Sequence, residues 1–262
     1  TFGGKIGNDS LTVANASGNF SDKNAANGKT VNIGGIALGG ADAGNYILAD
    51  ATATATANID KASISGVSGI TAGNKVYDGG TAASLNTAAA AFGGKFGNDN
   101  LTVADASGSF SDKNAANGKT VTISGIVLGG ADAGNYTLSG AAATATATAN
   151  IDKASISGVS GITAGNKVYD GLTSATLDAS GATFGGKIGN DSLTVANASG
   201  SFSDKNAANG KTVNISGIAL GGADAGNYTL ADAGTTATAT ANIGKASISG
   251  VSGITAGNKV YD

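Results

Sequence analysis

The chain has 262 residues, 15 cationic and 18 anionic side chains, and a formal net charge of −3. It contains no His, Cys, Met, Trp, Pro, Arg, Glu or Gln, so every cation is Lys and every acid is Asp. This alphabet excludes an imidazole base, a thiolate nucleophile, a zinc site of the N/S type, a disulfide and a guanidinium clamp on phosphate. The negative balance argues against nucleic acid or an anionic membrane as partner. No run of about eighteen apolar residues is present, so no transmembrane helix is predicted. The reactive groups that remain, Lys, Asp, Ser and Tyr, do not gather in a site-like pattern. Neither an enzyme nor a bound cofactor or metal is expected.

Internal repetition is the strongest signal. Lys75-Val76-Tyr77-Asp78 recurs at Lys167–Asp170 and Lys259–Asp262, 92 residues apart each time. The phrase Ala-Asn-Ile-(Asp/Gly)-Lys ends at Lys61, Lys153 and Lys245, with the same spacing. A period of 92 residues is too long for a solenoid rung and suits a small autonomous domain. The predicted divisions are a first repeat at 1–61 lacking its first strand, complete repeats at 62–153 and 154–245, and the first strand of a fourth at 246–262. Thr1 aligns with Ala91, so the chain is expected to be a segment of a longer array, out of phase with its own repeats.

Within 62–153 the predicted elements are strands. Leu101 and Val103 alternate with polar neighbours after a turn at Gly97-Asn98-Asp99. Asn117-Gly118 marks a second turn, and Val121 and Ile123 then alternate. Ser124-Gly125 breaks the parity before Ile126 and Leu128 resume it, which predicts a β-bulge. Gly129-Gly130 marks a further turn, Tyr136 and Leu138 alternate, and Ala143 to Ala149 is a strict Ala/Thr alternation. The predicted core is Ile64, Val67, Ile70, Val76, Tyr77, Leu85, Phe92, Phe96, Leu101, Val103, Phe110, Val121, Ile123, Ile126, Leu128, Tyr136, Leu138 and Ile151.

Short strands with frequent turns predict an all-β chain: a tandem array of antiparallel, immunoglobulin-like β-sandwiches forming an elongated rod. A β-grasp-like arrangement stays open as the alternative. The phrase D-x-G-x-Y, at Asp42 to Tyr46, Asp132 to Tyr136 and Asp224 to Tyr228, reads as a tyrosine corner, or else as an Asx-turn before a strand.

These phrases together resemble the YDG repeat: Val76-Tyr77-Asp78-Gly79, Phe110-Ser111-Asp112-Lys113-Asn114, Gly118-Lys119-Thr120-Val121, Asp132-Ala133-Gly134-Asn135-Tyr136 and the closing Ala-Asn-Ile. The YDG repeat occurs in large bacterial surface proteins similar to filamentous haemagglutinin, exported by two-partner secretion. The resemblance implies an extracellular location at the bacterial surface and a role in the outer part of adhesins or biofilm-matrix proteins. It carries over no catalytic residues.

Other chemistries suit the sequence less well. The Asp112-Lys113-Asn114 and Gly97-Asn98-Asp99 turns offer one Asp each, too few oxygens for calcium. Lys, Asn and Asp could form an isopeptide bond, but the usual Glu is absent. A single Ala/Thr strand per repeat is too narrow for an ice-binding plane, and the Tyr residues sit beside core positions rather than in a sugar-stacking cluster.

Two functions follow. The first is a stalk whose partners are neighbouring repeats of the same chain. The second is a repeat that itself binds like chains or extracellular polysaccharide, gaining avidity from copy number. Residues 246–262 could also complete the truncated first repeat of another copy by strand donation, or could reflect only an arbitrary phase of a long array.

Overall fold

The structure is a computed structural model that describes residues 1–261. Strands dominate, and the helical turns among the described residues are short 3-10 turns. Three long hairpins recur: Thr12–Phe20 with Ala26–Gly39, Thr102–Phe110 with Ala116–Gly129, and Thr194–Phe202 with Ala208–Gly221. Each is followed by a 3-10 turn and a closing Ala/Thr strand, Ala53–Ile59, Ala145–Asp152 or Ala237–Gly244.

The parity slip is visible in the register. Asn197 pairs with Ala219 but Ser199 with Ser216, so one strand carries an extra residue there. Gly217 sits in that stretch at φ +64°, a left-handed conformation that favours glycine. The bulge lets Val213, Ile215 and Ile218 all face inward despite their mixed spacing. Gly125 holds the same conformation between buried Ile123 and Ile126. Along Ala145–Asp152 and Ala237–Gly244 Ala points toward the core and Thr toward water, as strict alternation requires.

The chain forms two compact units. The first comprises Thr1–Gly73, Ala82–Ser109 and Thr120–Thr148. It contains the three-stranded sheet of Thr12–Phe20, Ala26–Gly39 and Ala53–Ile59. Here Ala62–Ile64 runs parallel to Tyr136–Leu138, and Gly66–Ser68 runs antiparallel to Ala91–Gly93. Ile64, Val67, Ile70, Val121, Ile123 and Tyr136 are buried in this unit.

The second unit comprises Asn74–Thr81, Phe110–Lys119 and Ala149–Asp262. Its five-stranded sheet has the order Lys167–Val168, Ala237–Gly244, Ala208–Gly221, Thr194–Phe202, Ser174–Ala175. Ala154–Ile156 runs parallel to Tyr228–Leu230, and Lys167–Val168 parallel to Ile243 and Gly244. Tyr77, Phe110, Ile151, Ile156, Phe202 and Ile215 are among its buried side chains. Residues 246–261 form no strand and are exposed throughout. The 62–153 repeat contributes residues to both units, so the compact units and the sequence repeats have different boundaries.

The structure is thus all-β, tandem and rich in antiparallel pairs, with two short parallel pairings in the repeat at 154–245 that alternation did not foretell. Parallel pairing needs a long crossover, and 74 residues separate Ala154 from Tyr228. Two predicted core residues are surface residues. Val76 is 57% exposed, because Tyr77 beside it points inward and neighbours on a strand face opposite ways. Phe96 is exposed because it belongs to the turn leading to Asp99 rather than to a strand.

Candidate functional site

Each long hairpin turns at Ser-Asp-Lys-Asn. Asp112 Oδ1 accepts the Asn114 backbone N–H at 2.8 Å and the Lys119 ammonium at 2.7 Å. The Lys119 side chain is nearly buried while Asp112 is half exposed, so a largely covered ammonium is matched at the edge of the solvent. Asp204 and Lys211 repeat the pair at 2.6 Å, and Asp22 and Lys29 repeat it in the first hairpin. With Asp and the second Lys occupied inside the hairpin, the intervening Lys113-Asn114 is presented outward.

The D-x-G-x-Y phrase forms a 3-10 turn whose two polar side chains reach back to a Gly-Asn-Asp turn. Asp224 Oδ2 accepts the Ser192 N–H at 2.8 Å. Tyr228 Oη accepts the Ile188 N–H at 2.9 Å and donates to Asp191 Oδ2 at 2.7 Å. Asp132 binds the Asn100 N–H at 2.7 Å, and Tyr136 binds the Phe96 N–H at 2.9 Å and Asp99 at 2.8 Å. In the first repeat Asp42 takes the Ser10 N–H at 2.7 Å, and Tyr46 takes the Ile6 N–H at 3.0 Å and donates to Asp9 at 2.6 Å. The tyrosine partners lie 37 and 40 residues upstream, farther than the few residues of a tyrosine corner.

Onto this pair of turns docks the hairpin tip of the preceding repeat. In the second unit Lys113 Nζ lies 3.2 Å from Asp191 and 3.4 Å from Asp224. The Ala115 N–H donates to Asn227 Oδ1 at 2.9 Å, and Asn227 Nδ2 donates to Asn114 Oδ1 at 3.3 Å. Tyr77, of the Tyr-Asp-Gly phrase, donates to Asp191 Oδ2 at 2.7 Å and packs edge-on against Tyr228, ring centroids 5.5 Å apart. Lys113 also lies over the Tyr77 ring, 5.8 Å from its centroid. In the first unit Lys23 bridges Asp99 at 2.7 Å and Asp132 at 3.3 Å. The Ala25 N–H donates to Asn135 Oδ1 at 2.8 Å.

The Tyr-Asp-Gly turn is built locally. Lys75 Nζ donates to Asp78 Oδ1 at 2.7 Å and to the Gly80 carbonyl at 2.8 Å, and lies 5.6 Å from the Phe110 ring centroid. Lys167 does the same with Asp170 and Leu172, over Phe202. This turn directs Tyr77 into the junction.

The junction perturbs its ionisable groups. Burial pushes the Tyr228 hydroxyl up, and the Asp191 hydrogen bond adds to this, to about 12. Burial likewise raises Tyr77, again helped by Asp191. Burial opposes the Asp191 charge, but hydrogen bonds from Tyr228, Tyr77 and Lys113 outweigh it and hold the carboxyl below its ordinary 3.8. Lys23 holds Asp99 down in the same way, with Tyr136 assisting.

The signs set a pH window. The raised tyrosine contributes stability that is complete below its unfolded value of 10.0 and is lost as pH rises toward 12. The depressed aspartate contributes stability present above 3.8 and lost as pH falls through its folded value. Melting temperature followed against pH is expected to be flat between about pH 5 and 9 and to fall on both sides. Tyr228→Phe is expected to shrink the alkaline limb, and an unchanged limb would count against this assignment.

Every carboxylate in the junction is engaged, and among the described residues no buried side-chain nitrogen or oxygen lacks a partner. No cluster of three acidic residues that could hold a metal occurs among them. Among the described residues no helix is long and apolar enough to cross a membrane. The geometry serves docking of one repeat on the next. Sequence reasoning singled out the Asp and Tyr of D-x-G-x-Y but missed Lys23, Lys113, Asn135, Asn227, Asp99 and Asp191 as their partners. A signal was present: an outward Lys-Asn at the same place in every hairpin tip is more than the turn itself needs.

The YDG domain model matches the chain three times, over residues 1–56, 60–148 and 151–239. Searches of curated proteins and of solved structures find no match.

Proposed function

The chain belongs to the YDG domain family, repeated in tandem, and from this premise we propose that it is a stalk or fibre segment of a bacterial extracellular adhesin or biofilm-matrix protein. In this reading it acts as spacer and scaffold rather than as a catalyst. The observation that carries the reading is the junction: Lys113, Asn114 and Tyr77 of one repeat close on Asp191, Asp224 and Asn227 of the next. The docking code is written into every copy, so length is added by adding copies without new chemistry. An aspartate shared by two tyrosines and a lysine also resists separation, since pulling it away would expose three unmatched groups at once.

The test is single-molecule pulling on this chain. Repeated unfolding events are expected, each releasing on the order of 300 Å of contour, as a fully extended repeat of this length requires. Lys113→Ala is expected to lower the force of one event and leave the others unchanged. Retention on matrix polysaccharide that rises with repeat number would instead favour a direct binder.

A further inference from the structure

The closing Ala-Asn-Ile phrase has a task outside the junction. Each long hairpin carries an Asn-Gly pair, Asn27-Gly28, Asn117-Gly118 or Asn209-Gly210, inside its second strand rather than at its tip. In the first hairpin Ala26 pairs with Ile59 and Lys29 with Ala57, so Asn27 and Gly28 both stand opposite Asn58. In the third, Ala208 pairs with Ile243 and Lys211 with Ala241, so Asn209 and Gly210 both stand opposite Asn242. This is a bulge of two residues against one. Gly28, Gly118 and Gly210 have φ of +64°, +62° and +63°. A Cβ on any of them would meet nothing within 4 Å, so it is the left-handed backbone and not space that calls for glycine.

Glycine after asparagine brings a chemical liability. The glycine nitrogen can attack the asparagine Cγ. An N–Cγ bond forms, the Cγ–Nδ2 bond breaks, the attacking nitrogen's proton passes to solvent base, and Nδ2 takes a proton from water and leaves as ammonia. Water then opens the cyclic imide to aspartate or isoaspartate. The nitrogen must lose its proton to attack, so a hydrogen bond that holds the N–H opposes the reaction.

All three glycine N–H groups are held in this way. Gly28 donates to Asn58 Oδ1 at 2.8 Å, Gly118 to Asn150 Oδ1 at 2.8 Å, and Gly210 to Asn242 Oδ1 at 2.7 Å. Two of the acceptors are themselves fixed. The Asn150 N–H donates to Asn74 Oδ1 at 2.8 Å, and the Asn242 N–H to Asn166 Oδ1 at 2.7 Å. Asn27, Asn117 and Asn209 are exposed, so water and base reach each pair.

We propose that Asn27, Asn117 and Asn209 are deamidation sites held shut by the closing strand, with Asn58, Asn150 and Asn242 as the locking residues. While the strand is paired, its asparagine occupies the N–H that would attack. When the strand leaves, the N–H is freed and the reaction runs. Isoaspartate lengthens the main chain by one carbon at the bulge, so a hairpin modified while open no longer matches the register of its closing strand. The inference rests on the hairpin geometry and not on the stalk reading.

The test incubates the intact chain in mildly alkaline buffer and follows the mass gain of amide-to-acid conversion at each site. Cleavage after Phe and Leu separates the sites, because 21–38, 111–128 and 203–220 differ in sequence. All three sites are expected to react at least about tenfold faster in guanidinium chloride than in the folded chain, the factor set by one net hydrogen bond. Asn150→Ala is expected to accelerate Asn117 by about tenfold and to leave Asn209, with its own lock, unchanged. Asn150→Asp keeps an oxygen acceptor for Gly118 and is expected to keep Asn117 slow. Equal rates in the folded and unfolded parent overturn the proposal. So does an alanine variant in which Asn117 stays slow, or one in which Asn117 and Asn209 accelerate together, and so does an aspartate variant as fast as the alanine one.

Discussion

Replacing Asp191 with Ala is expected to destabilise the second unit by roughly 3–5 kcal/mol, the range for breaking a buried ionic contact from one side. Asp191 is 8% exposed. Its Oδ2 receives both Tyr77 and Tyr228 hydroxyls at 2.7 Å, and its Oδ1 faces Lys113 at 3.2 Å. Alanine leaves two hydroxyls without their acceptor, each costing about 1–3 kcal/mol if water does not reach it. Lys113 would retain only Asp224. Asp99→Ala in the first unit is expected to cost less. There one tyrosine is involved instead of two, and Lys23 is 68% exposed, so solvent screens the ion pair. Urea unfolding of the two variants checks this ordering, and equal losses would contradict the assignment of Tyr77 to the junction.

Gly222→Ala is expected to cost roughly 2–6 kcal/mol, combining left-handed backbone strain with forced overpacking. Gly222 has φ +98°, and a Cβ there would lie 2.4 Å from the Ser192 carbonyl oxygen and 3.0 Å from Leu193 Cα. Neither atom belongs to a flexible side chain. Ser192 is also the residue whose N–H Asp224 accepts, so displacing it loosens the junction turn. Gly226, the glycine inside D-x-G-x-Y, behaves differently. Its φ is not left-handed and a Cβ there would meet nothing within 4 Å. Gly226→Ala is therefore expected to fall within about 0.5 kcal/mol of the parent. Thermal denaturation of both variants separates the two glycines.

Much of the local structure was legible. The alternation of Val121 and Ile123 with polar neighbours marked a strand, and Ser124-Gly125 after them marked the break in parity beyond which Ile126 still faces inward. The turn glycines and the Ala/Thr closing strands were readable for the same reason. These are period-two patterns and backbone preferences, decided by residues within a few positions of one another. The errors were local too. Val76 and Tyr77 were both assigned to the core, although adjacent strand residues face opposite ways.

The sequence by itself determined the all-β class, the 92-residue tandem period, the positions of the turns and the inward face of each long strand. Those follow from patterning and repetition, which are properties of the chain read as a line. Only the tertiary structure decided the rest: the parallel pairing of Ala154–Ile156 with Tyr228–Leu230, the 37-residue reach from Tyr228 to Asp191, and the 114-residue reach from Tyr77 to the same carboxylate. The physical reason is that a hydrogen-bonding side chain carries no mark of its partner's position. Lys113 reads as solvated until the fold brings two aspartates of the following repeat to it, one of them the largely buried Asp191, where a matched charge counts for more than it does in water.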